Sequence, residues 1–448
     1  MKNKTCTVLF LVTGLILLAG TLAPLVVARE GVWGTDWLNP SFIYRLGPEV
    51  QLSPSPQCDT SDEHSPAVAY DYVHKEYLVV WHNEWPDGSK DIYARRVSKS
   101  GQILSWFSIT TGPNDLVQPA VAYNAANDEY LIVWMKEVSS DVYEIWGRAI
   151  AWNNSYQKAE KQIITYPERS FWSPRVAWNS YRNEYLVVWN AFDTTTSFPP
   201  GIPSDIAGAR VAGDWSTIYV SNILTTYSYP HQVDITYNVA MNQYFIAFVV
   251  VHTEATSGND IYGLRVGWNG SPVGGLIEIY RDDIAGQRKH QNHPAVATNE
   301  QDKYMVVWEH EYTSTDHDIY AREYHVDGTP DGSYFTISSW TQDDTVPDVA
   351  ANGANKEWLA VWQRELPSGS GYSIHGFRWG SAGSSAYTYL FDVINWTFYE
   401  CKNPAVAADI PGYLIVYEEK VPPNKFDIYG RMWWPEAMYL PLILRNYK

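Results

Sequence analysis

The chain has 448 residues, 45% of them hydrophobic, a formal net charge of -18, and 21 Trp and 33 Tyr. An acidic balance of this size excludes nucleic acid as a partner and disfavours an anionic membrane surface, because both need a basic face. The length allows two or three domains, but one repeat fills nearly all of it and argues for a single closed domain.

At the start, Lys2 and Lys4 precede an apolar run from Val8 to Ala19, and Val26-Val27-Ala28 follows. Residues 1–28 read as a secretory signal cleaved after Ala28, which makes the mature protein secreted or displayed at the cell surface. The competing reading is an uncleaved anchor, since Val8 to Ala28 is long enough to span a bilayer. Cys6 lies ahead of the apolar run, out of place for lipid attachment. Membrane contact is expected only through an uncleaved signal or the C-terminal tail.

Residues 42–52 resemble an outer strand with no blade of its own, followed by a Pro-rich loop. From there a three-part phrase recurs: an opening such as PAVAY, then one like EYLVVW, then one like DIYG with a nearby arginine. It opens at Pro66, Pro119, Pro174, Pro230, Pro294, Pro347 and Pro404, roughly every fifty to sixty residues, the period of a β-propeller blade. In EYLVVW, Tyr77, Val79 and Trp81 alternate with Leu78 and Val80, so both faces are apolar, as a strand covered on both sides requires. The third strand keeps a small residue at Ala94, Gly147, Gly208, Gly263, Ala321, Gly376 and Gly430, a close-packing constraint. Arginines follow it, among them Arg96, Arg148, Arg210 and Arg378, and are expected to pair with Glu76, Glu129, Glu184 or Glu357 or to stack on aromatic rings.

The expected fold is all-β: a seven-bladed β-propeller of four-stranded antiparallel blades over residues 29–434. The last blade lacks its outer strand, and residues 42–52 supply it, leaving few open edges. Cys58 and Cys401 precede the first and seventh blades, which are neighbours in a ring, so a disulfide between them would staple the closure. Two free thiols is the alternative.

The phrase PAVAYNAANDEYLIVW with its DIYG-type strand resembles the repeats of secreted bacterial seven-bladed β-propeller proteins over about residues 42–434. The ending from Met438 to Lys448 resembles a C-terminal tail of exported bacterial proteins, which implies that residues 435–448 act in sorting or surface attachment; an apolar tail docked on the propeller is the other reading. The Ser-x-Asp-x-Gly-x-Thr-Trp box of sialidases does not recur, nor do the WD dipeptide and kelch glycine pairs.

Function is to be sought where the copies differ. The turn between first and second strands is regular, as in YNAANDEY, whereas the loops entering the first strand and following the second vary, and strand alternation puts those two sets around one mouth of the channel. Most of the histidines fall there. The binding candidates are Trp172, Tyr229, His231, His290, His293 and His310. His290, His293, His310 and His317 are candidate ligands for a divalent metal, although no cofactor is required by any motif. Glu309, Glu311 and Glu418 are the candidate acids for a glycosidase pair, which needs carboxyl groups roughly 5 to 10 Å apart. The leading expectation is a non-catalytic exported propeller that binds carbohydrate or a cell-surface protein through the variable face. A polysaccharide-active hydrolase or lyase and a structural envelope component are the alternatives.

Overall fold

The second strand of each repeat explains the architecture. In blade one (Asp62–Asp71, Glu76–Glu84, Lys90–Ser98 and Ile103–Thr110), Tyr77, Val79 and Trp81 pack into the cluster shared with blade seven. Leu78 and Val80 pack into the cluster shared with blade two. One strand thereby fills two interfaces, and repetition closes a ring of seven four-stranded antiparallel sheets, a seven-bladed β-propeller. The computed structural model describes residues 44–54, 61–166, 169–193, 205–225, 230–252, 258–282, 289–353, 356–367, 369, 371–380, 389–394, 400–409, 412–422 and 424–435. The signal over residues 1–28, the tail beyond Pro435, Cys58 and Tyr229 lie outside them.

The first strands of the seven blades line the channel, each beside its neighbour's. Blade seven (Cys401–Ala408, Tyr413–Val421 and Lys425–Pro435) takes its outer strand from the N-terminal segment Tyr44–Gln51, antiparallel to Lys425–Pro435. Gln51 Nε2 donates to Asp427 at 2.8 Å and Tyr417 to Glu49 at 2.5 Å across this junction.

Each innermost strand carries a bulge whose register breaks just before the repeat's proline. The bulged residues Ser65, Gln118, Ser173, Gln232, His293, Val346 and Asn403 all have φ between 48° and 54°. In blade four this residue is Gln232, so Val233 stands at the repeat's proline position and Pro230 lies three residues too early to be its equivalent. The proline is dispensable because the bulge, not the ring, sets the geometry.

The small residue of the third strand faces the outer strand's own bulge. A Cβ on Gly208 would lie 2.5 Å from Ile223 Cδ1, and one on Gly430 would lie 2.9 Å from Leu52 Cδ1. The arginines after it split by strand alternation. Arg148, Arg322 and Arg431, one residue on, donate to the carbonyls of Ile109, Ile279 and Val393 in the preceding blade's outer strand. Arg96, Arg210 and Arg378, two residues on, pair with Glu76, Glu184 and Glu357. Glu129 is held instead by Lys158 at 2.7 Å.

The regular turns link blades by amides: Asn124 Nδ2 donates to Asn183, Asn179 Nδ2 to Asn242, and Asn238 Nδ2 to Thr298 Oγ1. Among the described residues no disulfide forms. Cys401 is buried in the cluster between blades six and seven, on the side of blade seven away from blade one, and burial pushes its thiol well above the ordinary range.

Candidate functional site

The bulge leaves a backbone N–H at the mouth of the channel that the ladder does not use, and the previous blade supplies its acceptor. The acceptor sits directly after the aromatic residue that recurs near the end of the second-strand phrase in each blade. Glu418 accepts from Ser65 N at 2.8 Å, Gln363 from Asn403 N at 2.9 Å and Glu309 from Val346 N at 3.4 Å. Where blade four has Val249 at this place, Gln232 Oε1 takes over and accepts from His293 N at 2.8 Å. Two of the three acids singled out by sequence are therefore frame acceptors. The third, Glu311, accepts from His290 N at 2.8 Å, fixing the loop that enters blade five.

Blade five and its junction with blade six hold a polar cluster on the rim. Glu309 is 5% exposed and lies between two imidazoles, His293 Nδ1 at 2.8 Å and His317 Nε2 at 3.7 Å. His317 Nδ1 is 2.5 Å from Asp343, which together with Glu309 holds its imidazole above the usual histidine range. The His293 side chain is 42% exposed, with its Nε2 3.4 Å from the Gln232 amide. Such a cluster offers an oriented imidazole and amide to a ligand hydroxyl. At the blade-seven and blade-one junction, fully buried Glu418 likewise holds His64 at 3.0 Å and Asn403 Nδ2 at 2.8 Å.

The other candidates are dispersed. His310 is buried, 3% exposed, stacked on Tyr320 at 4.4 Å and bonded to Gln291. Burial lowers its imidazole to about 4. His290 Nδ1 accepts from Asn259 N at 3.3 Å. Trp172 packs edge-on to Tyr143 and donates to Ser170. His231 sits half-buried on the innermost strand opposite Val249.

The channel itself contains a group that the sequence reading passed over. The place held by Ala67, Ala120, Ala295 and Ala405 carries Arg175, Asp234 and Asp348 in blades three, four and six. Asp234 accepts from Val296 N and Asp348 from Val406 N, each tying its blade to the next. Enclosure and the nearby Asp234 push Asp348 up to about 7; enclosure raises Asp234 too, against the pull of Arg175 at 3.6 Å. The signal was present as a departure from the PAVA phrase.

Among the described residues, the one set of three His, Cys, Asp or Glu ligand atoms lying within 4.8 Å of one another is Asp71, His74 and Asp128. It lies on the regular face, where the other blades have amide bridges. His74 Nδ1 joins the two carboxylates at 2.8 and 3.3 Å, and its ring stacks on Trp152 at 3.6 Å. This is the blade-to-blade link in another chemistry.

The sequence matches no protein-family description and no curated protein. Its fold is similar to that of a protein of unknown function from Dyadobacter fermentans, with a TM-score of 0.50 at 9% identity over 88% of this chain and 99% of that one. It is also similar to polysaccharide lyase Uly1, with a TM-score of 0.51 at 6% identity over 86% and 99% of the two chains. At such identities the likeness is one of fold: this chain is a seven-bladed β-propeller.

Proposed function

We propose that the protein is an exported propeller that binds carbohydrate at the cell surface through its irregular face, around blades five and six, without turning it over. The observation that carries this reading is the use of Glu309, Glu311 and Glu418 as acceptors for scaffold N–H groups. A glycosidase needs two carboxyl groups flanking the sugar and free to exchange protons and bonds with it; each of these three already accepts from a scaffold N–H, and the unpartnered Asp316 and Asp318 stand on one face of one strand instead of across a sugar from each other. What the same face leaves free suits sugar capture. Tyr312, near the end of the strand Lys303–Thr313, and Trp340, in the loop entering blade six, are more than half exposed, and His317 and Asp343, bonded to each other, join the two segments near the oriented His293. Flat aromatic faces with fixed polar groups alongside match a sugar's apolar face and hydroxyl edge. Export rests on the expected signal over residues 1–28.

The test is a glycan array together with a polysaccharide-degradation panel, using protein from Arg29 onward, with and without EDTA. Capture without product is the expected result. Cleavage would overturn the non-catalytic reading in favour of a hydrolase or lyase, and cleavage lost in EDTA would add a metal. No capture on the array would favour a protein ligand or an envelope scaffold.

A further inference from the structure

Among the described residues, the position that precedes the third strand's isoleucine has a hydrogen-bond or ion-pair partner in every blade except blade five. Asp91 accepts from Gly112 N and Trp85 Nε1, and Glu144 from Trp146 Nε1 and Thr165 Oγ1. Asp205 pairs with Arg169, Asp260 with His252, Ser373 with His375 and Asp427 with Gln51. Blade five keeps the aspartate, Asp318, at 6% exposure, but among the described residues nothing donates to it. Asp316, two residues earlier and so on the same face of the strand Asp316–His325, has a buried Oδ1 that is also unpartnered. A buried carboxylate oxygen without a donor is costly, which marks the pair as a place to receive a ligand's donor.

The surroundings indicate the chemistry. In blades one and four the N–H of Gly112 or Asp282, three residues past the outer-strand bulge, reaches the aspartate. In blade five that place belongs to Trp340, whose ring is 55% exposed with the Arg364 guanidinium 5.0 Å from its centre. Lys289 holds its ammonium 4.9 Å from the centre of the Tyr312 ring. Asp344 is neutralised by Arg364 at 2.7 Å and His317 by Asp343. Asp316 and Asp318 thus have the charges of Lys289 and His317 in their surroundings but no cation bonded to them, and among the described residues no third ligand lies close enough to complete a metal site.

We propose that Asp316 and Asp318 receive the protonated amino group of an amino sugar whose ring lies against Trp340. This deepens the carbohydrate-binding reading and rests on it. An ammonium donates charge-assisted hydrogen bonds to both carboxylates, and its N-acetylated counterpart has neither the charge nor more than one N–H.

Isothermal titration of the protein from Arg29 onward with hexamers of glucosamine, N-acetylglucosamine and glucose tests it. The glucosamine hexamer should bind at least about tenfold more tightly than the other two, the scale of one charge-assisted hydrogen bond. Asp318→Asn should erase that preference while leaving glucose-hexamer binding and the melting transition in place, and Asp316→Asn should reduce it. Equal affinities, an unchanged preference in Asp318→Asn, or a preference abolished by EDTA would each overturn the inference. Binding of only the uncharged hexamers overturns it while leaving the carbohydrate reading intact; binding of none of the three overturns both.

Discussion

At the scale of single residues, the unpartnered Asp318 makes a thermodynamic prediction that needs no ligand. Burial, with Asp316 and Asp344 nearby, pushes its carboxyl up to about 6, above the ordinary value near 4. A raised acid binds its proton more tightly in the folded state, so the stability it contributes is present at low pH and is lost as pH rises from about 4 to about 6. Asp318→Asn should therefore melt higher than wild type at pH 8, by up to about 3 kcal/mol, and equally at pH 4. His310 works in the opposite sense. Held neutral by burial at about 4, it leaves stability intact above about 6.5 and removes up to about 3 kcal/mol as pH falls through 4. His310→Phe should flatten the acid limb of a stability-versus-pH curve measured by denaturant unfolding. The repeat puts His310 in a rim loop, because its position lies past Trp308, the last residue of the second-strand phrase. The strand Lys303–Thr313 runs on through it, and extension of that kind is set by pairing with Asp316–His325, which no local pattern announces. Asp318 was legible as a repeated aspartate; its missing donor was not, since that depends on where Trp340 stands.

Among elements, the innermost strand was the most legible and also the source of a misalignment. Six of its copies carry the proline, which made Pro230 the natural anchor in the fourth; the bulge at Gln232 is conformational and leaves only a weak compositional trace. Val233 at the proline place predicts that Val233→Pro is accommodated, with a melting point equal to wild type or higher by the equivalent of about 0.5–1 kcal/mol. At the same bulge in blade six, Val346 is a β-branched residue at φ 52°. Val346→Gly should relieve about 1 kcal/mol of strain and raise the midpoint of denaturant unfolding. The departures at Arg175, Asp234 and Asp348 stood in the same phrase, but searching for histidines and for acids after the second strand looked past them. Asp234 and Asp348 serve the frame by accepting from the next blade's N–H groups, as do Glu309 and Glu418, read as free acids.

For the whole molecule, the ring was legible because seven copies of one strand with two apolar faces can be satisfied only by stacking blade on blade. Closure by residues 42–52 followed from counting strands, and Tyr44–Gln51 occupies that place. Removing the chain before Ser61 would uncover the edge of Lys425–Pro435 together with Leu414, Met432 and Trp434 and is expected to yield aggregated protein by size-exclusion chromatography. The position of Cys401 between blades six and seven could not be foreseen from its place in the repeat, which fixes the strand and not the side to which its side chain turns. Mass spectrometry of free thiols in the protein decides whether Cys401 pairs with Cys58. The division of faces, regular turns on one and varied loops on the other, is the property from which binding was argued. It is tested most directly on a glycan array by comparing wild-type protein with Trp340→Ala on the irregular face and Tyr181→Ala, an exposed ring on a regular turn. Capture by wild type and Tyr181→Ala, lost in Trp340→Ala, is the expected result; equal capture by all three, loss only in Tyr181→Ala, or no capture by wild type would contradict binding at the irregular face.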